Sequence, residues 1–234
     1  MKNRSPLTLI ALAALAVSLL CQSAQAGNGS ISAPFMGRSK GSSGSAPPDK
    51  VQIVGVIVDT GDGDGLKLFP HEPGEKLVTI RLYGVDAPEM DQTCRKDGRV
   101  YPCGRLAADH LARLARGKTA TCDKISKSFD RTVAICRIGS LDLSAAMVEA
   151  GWAVPYVDYS NAYVDLHRRA VDRKAGAMGG EIQYPECYRR EKDLARKPDK
   201  LKQLEFDRRC PNGGWMPAYK PFDDPARLSK AHRN

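Results

Sequence analysis

The feature that most constrains the fold is a train of short apolar runs with a period of two, punctuated by turn residues. From Val51 the chain reads VQIVGVIV, then LKLF after a Gly/Asp turn, then KLVTIRLYGV. Successive side chains on a strand point to opposite faces. Val78, Ile80 and Leu82 therefore share one face, and Thr79, Arg81 and Tyr83 the other. These runs predict strands. A loop with Cys94 and Cys103 follows, then a helix from Arg105 to Arg116, with Leu106, Leu111 and Leu114 near helical spacing and Gly117 as its stop. Two strands are expected around Thr119 to Ile125 and Arg131 to Ile138. A helix capped by Asp142 runs from about Leu143 to Ala150 and stops at Gly151. A third helix falls between Asn161 and Ala177. Three strands, a helix, two strands and two helices predict an α+β fold, a small β-barrel carrying helices and compatible with an OB-fold.

The rest of the chain divides by composition. Lys2 and Arg4, the apolar stretch from Leu7 to Leu20 and Ala24-Gln25-Ala26 read as a signal peptide over residues 1–26. That apolar run is shorter than the ~20 residues of a membrane-spanning helix. Residues 27–48 are rich in Gly, Ser and Pro and read as a flexible leader. The barrel domain is expected over 49–180, and residues 181–234 as a charged extension with one short helix around Leu194 to Phe206. Hydrophobic residues at 42% supply a sizeable core, whereas 6% aromatics argue against a lectin-like stacking surface. The excess of 36 Lys and Arg over 27 Asp and Glu gives a net charge of +9 and favours polyanionic partners.

Export changes how the cysteines read. Cys21 leaves with the signal, and Cys94, Cys103, Cys122, Cys136, Cys187 and Cys210 remain. An even number in an oxidising compartment points to three disulfides, with 15 pairings open. Order along the chain favours Cys94–Cys103, Cys122–Cys136 and Cys187–Cys210, the second because two β-runs flank a polar turn there. Zinc is disfavoured, since no CxxC spacing exists and the four histidines are scattered.

The richest cluster is Asp62-Gly63-Asp64 followed by Arg81-x4-Asp86-Ala87-Pro88-Glu89. Two strand ends deliver carboxylates into turns, and hard divalent cations take oxygen ligands of this kind. Arg81 offers a planar, permanently charged fork for phosphate oxygens, and Glu89 is placed to take a proton. Singly, the first motif is also a plain hairpin connection and the second a Pro-stiffened turn. An EF-hand frame from Thr60 fails, because it puts His71 at the bidentate Glu position.

These segments together, VIVDTGDGDGLKL, TIRLYGVDAPE, FDRTVAICRI and DLSAAMVEAGWAVPY, resemble the staphylococcal nuclease (thermonuclease) family over roughly residues 50 to 180. TCRKDGRVYPCGRLAADHLARL and the Cys122/Cys136 hairpin resemble its exported, disulfide-containing bacterial members. The resemblance implies a five-stranded OB-fold barrel with about three helices that binds Ca²⁺ and hydrolyses phosphodiesters in DNA and RNA. It assigns Asp64, Asp86 and the Ala87 carbonyl to the metal, Arg81 and Arg131 to phosphate, Glu89 to the general base, and Tyr156 to the nucleotide. A monomer is expected, periplasmic or secreted, without stable membrane insertion after signal cleavage. Departures exist. Gly65 stands where the family has Thr, and Met178 about where it has Trp. Lys127-Ser128-Phe129-Asp130-Arg131 replaces Asp-x-Tyr-Gly-Arg, placing Asp130 where Gly can take positive φ and where its carboxylate can reach Arg131. They motivate an alternative, a weak or inactive module of this fold that binds nucleic acid or a protein.

His110 and His167 read as structural or solvated, and Trp152 as core. Between Arg189 and Arg209 nine basic residues face five acidic ones, which read as solvated surface that can add affinity for nucleic acid.

Overall fold

The computed structural model describes residues 51–216. The signal peptide, the leader and the end of the extension lie outside the described residues. The strands are β1 (Gln52–Thr60), β2 (Gly65–Pro70), β3 (Val78–Leu82), β4 (Val85–Asp86), β5 (Cys94–Lys96), β6 (Arg99–Tyr101), β7 (Thr119–Ser128), β8 (Arg131–Ile138), β9 (Leu141–Asp142) and β10 (Val154–Pro155). The α-helices are α1 (Cys103–Ala115), α2 (Leu143–Glu149), α3 (Val164–Asp172), α4 (Pro185–Arg196) and α5 (Lys200–Arg209).

The main sheet runs β3-β2-β1-β7-β8-β9 and closes where β3 pairs in parallel with β8. Five strands thus form a ring, with β9 at its edge, and the fold is an OB-type α+β barrel. Register follows the apolar alternation: Leu66 pairs with Ile80 and Ile57 with Leu68, and all four are fully buried. A one-residue slip would turn each of these side chains outward, and each such burial is worth about 1.5–3 kcal/mol. Helix α1 lays Ala107, Leu111 and Ala115 on the barrel, and α2 adds Met147 and Val148. Asp142 caps α2 by accepting from the Ala145 N–H at 3.1 Å, and Gly151 ends it at φ 73°.

A second buried cluster joins Val154, Val157, Val164, Ala170, Ile182 and Tyr184 to Cys94, Cys103, Cys187 and Cys210. Trp152 packs between the two clusters. All three disulfides follow chain order, Cys94–Cys103, Cys122–Cys136 and Cys187–Cys210. Among the described residues no helix is long and apolar enough to cross a membrane.

Three expectations are corrected. The expected loop around Cys94 and Cys103 contains the β5–β6 hairpin. The described part of the extension holds two α-helices rather than one. Pro198 separates them and Asp199 caps α5 through the Leu201 and Lys202 N–H groups. At the β7–β8 turn Ser128 pairs with Arg131, leaving two residues in the loop. The positive φ, 56°, falls on Phe129 and not on Asp130, because a two-residue hairpin of the II′ kind needs it at its first central position.

Candidate active site

The site grows from the strand register. Gly65 lies opposite Arg81 in the β2–β3 ladder, so the Asp62-Gly63-Asp64 turn comes up beside Arg81. The Arg81 side chain leaves the barrel on the face away from Ile80 and Leu82, as alternation requires. Only a small part of it stays open to solvent. Its Nη1 lies 2.6 Å from Asp64 Oδ1 and its Nη2 2.7 Å from Asp86 Oδ1, with the Val85 carbonyl at 3.3 Å from the same Nη2. Asp64 and Asp86 are 1% and 2% exposed, so a guanidinium here neutralises charge that would otherwise be costly to bury.

Close approach of backbone makes this possible. A Cβ on Gly63 would lie 2.7 Å from the Ala87 Cβ, and one on Gly104 1.7 Å from the Glu89 carbonyl oxygen. Without a side chain at those two positions, the Asp64 turn, the Asp86–Glu89 loop and the start of α1 nest together. The Ala87 N–H then donates to Asp64 Oδ2 at 2.7 Å. Gln92, buried under the loop, accepts from the Glu89 N–H at 3.2 Å and donates to the Gln183 carbonyl at 2.6 Å. That bond ties the Glu89 loop to the start of the extension.

Arg189, on α4, was read from sequence as part of a solvated run. Instead its Nη1 and Nη2 donate to Asp86 Oδ1 and Oδ2, both at 2.9 Å, and Nη1 also donates to Glu89 Oε1 at 2.7 Å. Lys192, three residues on and on the same helical face, pairs with Asp91. Arg190 turns away to Glu186 and Glu205. The missed signal was positional: Arg189 lies two residues after the disulfide-bonded, fully buried Cys187.

A cleft of about 500 Å³ opens above these groups, lined among others by Arg81, Glu89, Lys127, Arg131, Tyr156 and Arg189. Arg131 opens β8 and takes part in no ion pair among the described residues, so the expected contact with Asp130 is not made. Tyr156 is placed by its own N–H, which donates to the Gly84 carbonyl at 2.9 Å. Asp64, Asp86 and Ala87 are buried behind the lining.

The carboxylates are unlike one another. Burial pushes the Asp64 carboxyl well above its usual range, with Arg81 opposing. Burial acts on Asp86 in the same sense, but Arg189 and Arg81 outweigh it and hold Asp86 below the usual range. Burial, reinforced by Asp86, lifts the Tyr156 phenol to about 12, while Arg189 opposes. Tyr156 is thus a neutral hydrogen-bonding group throughout the physiological range.

The donor set suits a hard cation in kind. Asp64 Oδ1 is buried and, although 2.6 Å from Arg81 Nη1, takes no aligned hydrogen bond. A buried carboxylate oxygen without an aligned donor is a ligand that an oxygen-seeking ion can use. No group of three His, Cys, Asp or Glu side chains among the described residues is arranged as a metal cage. Asp86 is already engaged on both oxygens by guanidinium groups.

Residues 79–177 match the family described as staphylococcal nuclease homologues. A probable endonuclease (LCL3) of Yarrowia lipolytica is 28% identical over 130 residues, a span of 44% of this chain and 56% of that protein. The chain thus covers little more than half the length of that relative. Arg81, Asp86, Ala87, Glu89, Arg131 and Tyr156 fall inside the matched segment, while Asp64 precedes it and Arg189 follows it. Residues 79–177, which supply most of the cleft lining, are thus similar to the staphylococcal nuclease homologues.

Proposed function

We propose that this protein is an exported, calcium-dependent nuclease that hydrolyses phosphodiester bonds of DNA and RNA in the Arg81–Arg131 cleft. The observation that carries the reading is Arg81 held between two buried aspartates while facing the same cleft as Glu89, Arg131 and Tyr156. Asp64 and Asp86, with the Ala87 carbonyl, would hold calcium, whose chemistry at such a site is Lewis-acid polarisation of a phosphoryl oxygen. Arg81 and Arg131 meet the negative charge that grows on the phosphoryl group, a contribution that is commonly the largest single one. Glu89 takes the proton of the attacking water. Tyr156 donates to the substrate from the cleft wall. Lys127 and the arginines bind backbone charge rather than base edges, so cutting weakens with salt.

Export is supported by the three formed disulfides. The test is incubation of the mature protein with plasmid DNA and with RNA, in calcium and in chelator. Calcium-dependent cutting is expected, and Glu89→Gln should lower it by roughly 10²–10⁴-fold. A folded protein that cuts neither substrate in calcium overturns the reading.

One observation favours the second reading, a binding module without turnover: Arg189 holds Glu89, the proposed base, at 2.7 Å. In that case Glu89→Gln leaves nucleic-acid binding intact and there is no cutting to lose.

A further inference from the structure

We infer that Arg189 is a third phosphate-binding arginine of this site, stored in the free protein on Asp86 and Glu89 and released to the substrate when a divalent cation takes Asp86. The inference rests on the nuclease reading of the cleft and adds a residue from outside the nuclease-homologue segment.

The geometry points this way in three respects. First, Arg189 grips Asp86 with both Nη atoms and reaches Glu89 with one of them. The acidic groups proposed for the metal and for the base are therefore bridged by one guanidinium. A cation ligated by Asp86 would sit beside that guanidinium in a poorly solvated pocket, where like charges repel strongly. The two cannot share the carboxylate at ordinary cost. Second, Arg189 is free to leave. Its side chain is 34% exposed, against 14% for Arg81, and it already lines the cleft with Arg81, Arg131 and Tyr156. A rotamer change moves it from the cleft floor into the cleft without moving α4. Third, α4 is held in place without it. Cys187 is bonded to Cys210, Lys192 pairs with Asp91, and the Gln183 carbonyl accepts from Gln92. The helix therefore presents Arg189 at a fixed distance from the phosphate seat whichever partner it takes. A planar guanidinium suits both partners, since carboxylate and phosphate accept the same two-toothed grip.

The exchange predicts opposite shifts in two affinities on loss of Arg189. Calcium binding to the full mature protein is measured by titration calorimetry, without nucleic acid. Binding of a fluorescein-labelled phosphorothioate oligonucleotide is measured by anisotropy at saturating calcium. Arg189→Gln should bind calcium at least about tenfold tighter and the oligonucleotide about fivefold or more weaker. Arg189→Lys keeps the charge but not the fork, so it should tighten calcium binding less and retain more oligonucleotide binding. Arg190→Gln removes the same charge one residue away and should change neither by more than about twofold. Intact mass with three disulfides and an unfolding midpoint near that of the unmodified protein confirm the fold of each variant. Calcium affinity that stays the same or falls in Arg189→Gln overturns the inference, as does unchanged oligonucleotide affinity or an equal effect of Arg190→Gln. The failures separate cleanly. If both shifts occur and the unmodified protein cuts nothing, the nuclease reading falls and the partner exchange stands. If it cuts and neither shift occurs, the reverse holds.

Discussion

Arg81 and Arg189 meet on the same carboxylate, Asp86, but arrive there from different kinds of scaffold. Arg81 stands in a closed sheet, with Gly65 opposite it on one side and Val133 on the other. Its place follows from ladder hydrogen bonds and from the burial of its neighbours Ile80 and Leu82. Arg189 stands on a helix whose buried residues are confined to Pro185, Glu186 and Cys187, followed by a helix with none. Its place follows from one disulfide, a handful of polar contacts and the packing of Ile182, Tyr184 and Cys187 into the second buried cluster. One half of the site is built into the barrel and the other half is docked onto it. The barrel half should resist perturbation until the barrel itself fails, whereas the docked half can be loosened separately.

The largest effect expected from this contrast is on stability. Arg81→Met leaves Asp64 without its guanidinium and removes one of the two on Asp86. Breaking a buried ion pair from one side costs about 3–5 kcal/mol. Arg189→Met leaves Asp86 with Arg81 and exposes Glu89 to water, so the loss should be closer to ~1 kcal/mol. Urea unfolding of both variants with the disulfides intact measures the difference. Equal losses would mean that the extension is as integral to the fold as the barrel, and the contrast would be broken.

The disulfides sharpen the same point. Cys122 and Cys136 face each other in the long β7–β8 ladder, where pairing persists without the bond. Cys187–Cys210 closes 23 residues of a segment with little buried apolar surface of its own. Replacing both Cys187 and Cys210 by Ala should cost about 2–4 kcal/mol, with faster amide exchange first in α4 and α5. The same replacement at Cys122 and Cys136 should cost no more, and its effect should spread over the whole barrel. If α4 and α5 keep their exchange protection without Cys187–Cys210, the polar contacts and the packing alone hold the extension.

How much was legible in the sequence divides along the same line. Alternation at Val78–Leu82 gave the strand and the direction of Arg81, because a period of two is enforced by backbone geometry. The Asp142 cap and the Gly151 stop were visible because each solves a local hydrogen-bonding or φ problem. That Asp64 and Asp86 come close to Arg81 followed from turn motifs on neighbouring barrel strands, but their ion pairs with its guanidinium were not legible, since the sequence reading gave the aspartates to a metal and Arg81 to phosphate. Arg189 was not legible as a site residue. A charged helix face looks the same in sequence whether it meets water or a buried carboxylate, and what distinguishes Arg189 is a contact 103 residues away. The turn at Phe129 was misjudged for a related reason. Residue type favoured Asp130 for positive φ, but the two-residue loop length decided the matter.

A further effect lies where the two halves join. His167 on α3 is fully buried, with the Tyr184 hydroxyl 3.4 Å from its Nε2. Burial, with Arg168 adding repulsion, pulls its imidazole down to about 4. The unfolded chain takes up this proton near 6.5 and the folded one near 4. Between those values the unfolded state binds more protons, so stability is full above about 6.5 and falls as the pH drops toward 4. By pH 5 the loss from this one group is about 2 kcal/mol. His110, pulled down by partial burial, adds a weaker loss of the same sign. Asp64, whose carboxyl is raised, works in the opposite sense, since its folded form takes up a proton first on acidification. The informative quantity is therefore the difference between the unmodified protein and His167→Gln, measured by urea unfolding at pH 7 and pH 5. The unmodified protein should lose about 2 kcal/mol more than the variant over that interval. Because Tyr184 immediately precedes α4, the loss should show first as faster amide exchange in α4 and only later in β3 and β8. A pH dependence identical in both proteins would mean that His167 stays solvated in the fold, and the junction would then be looser than the barrel beneath it.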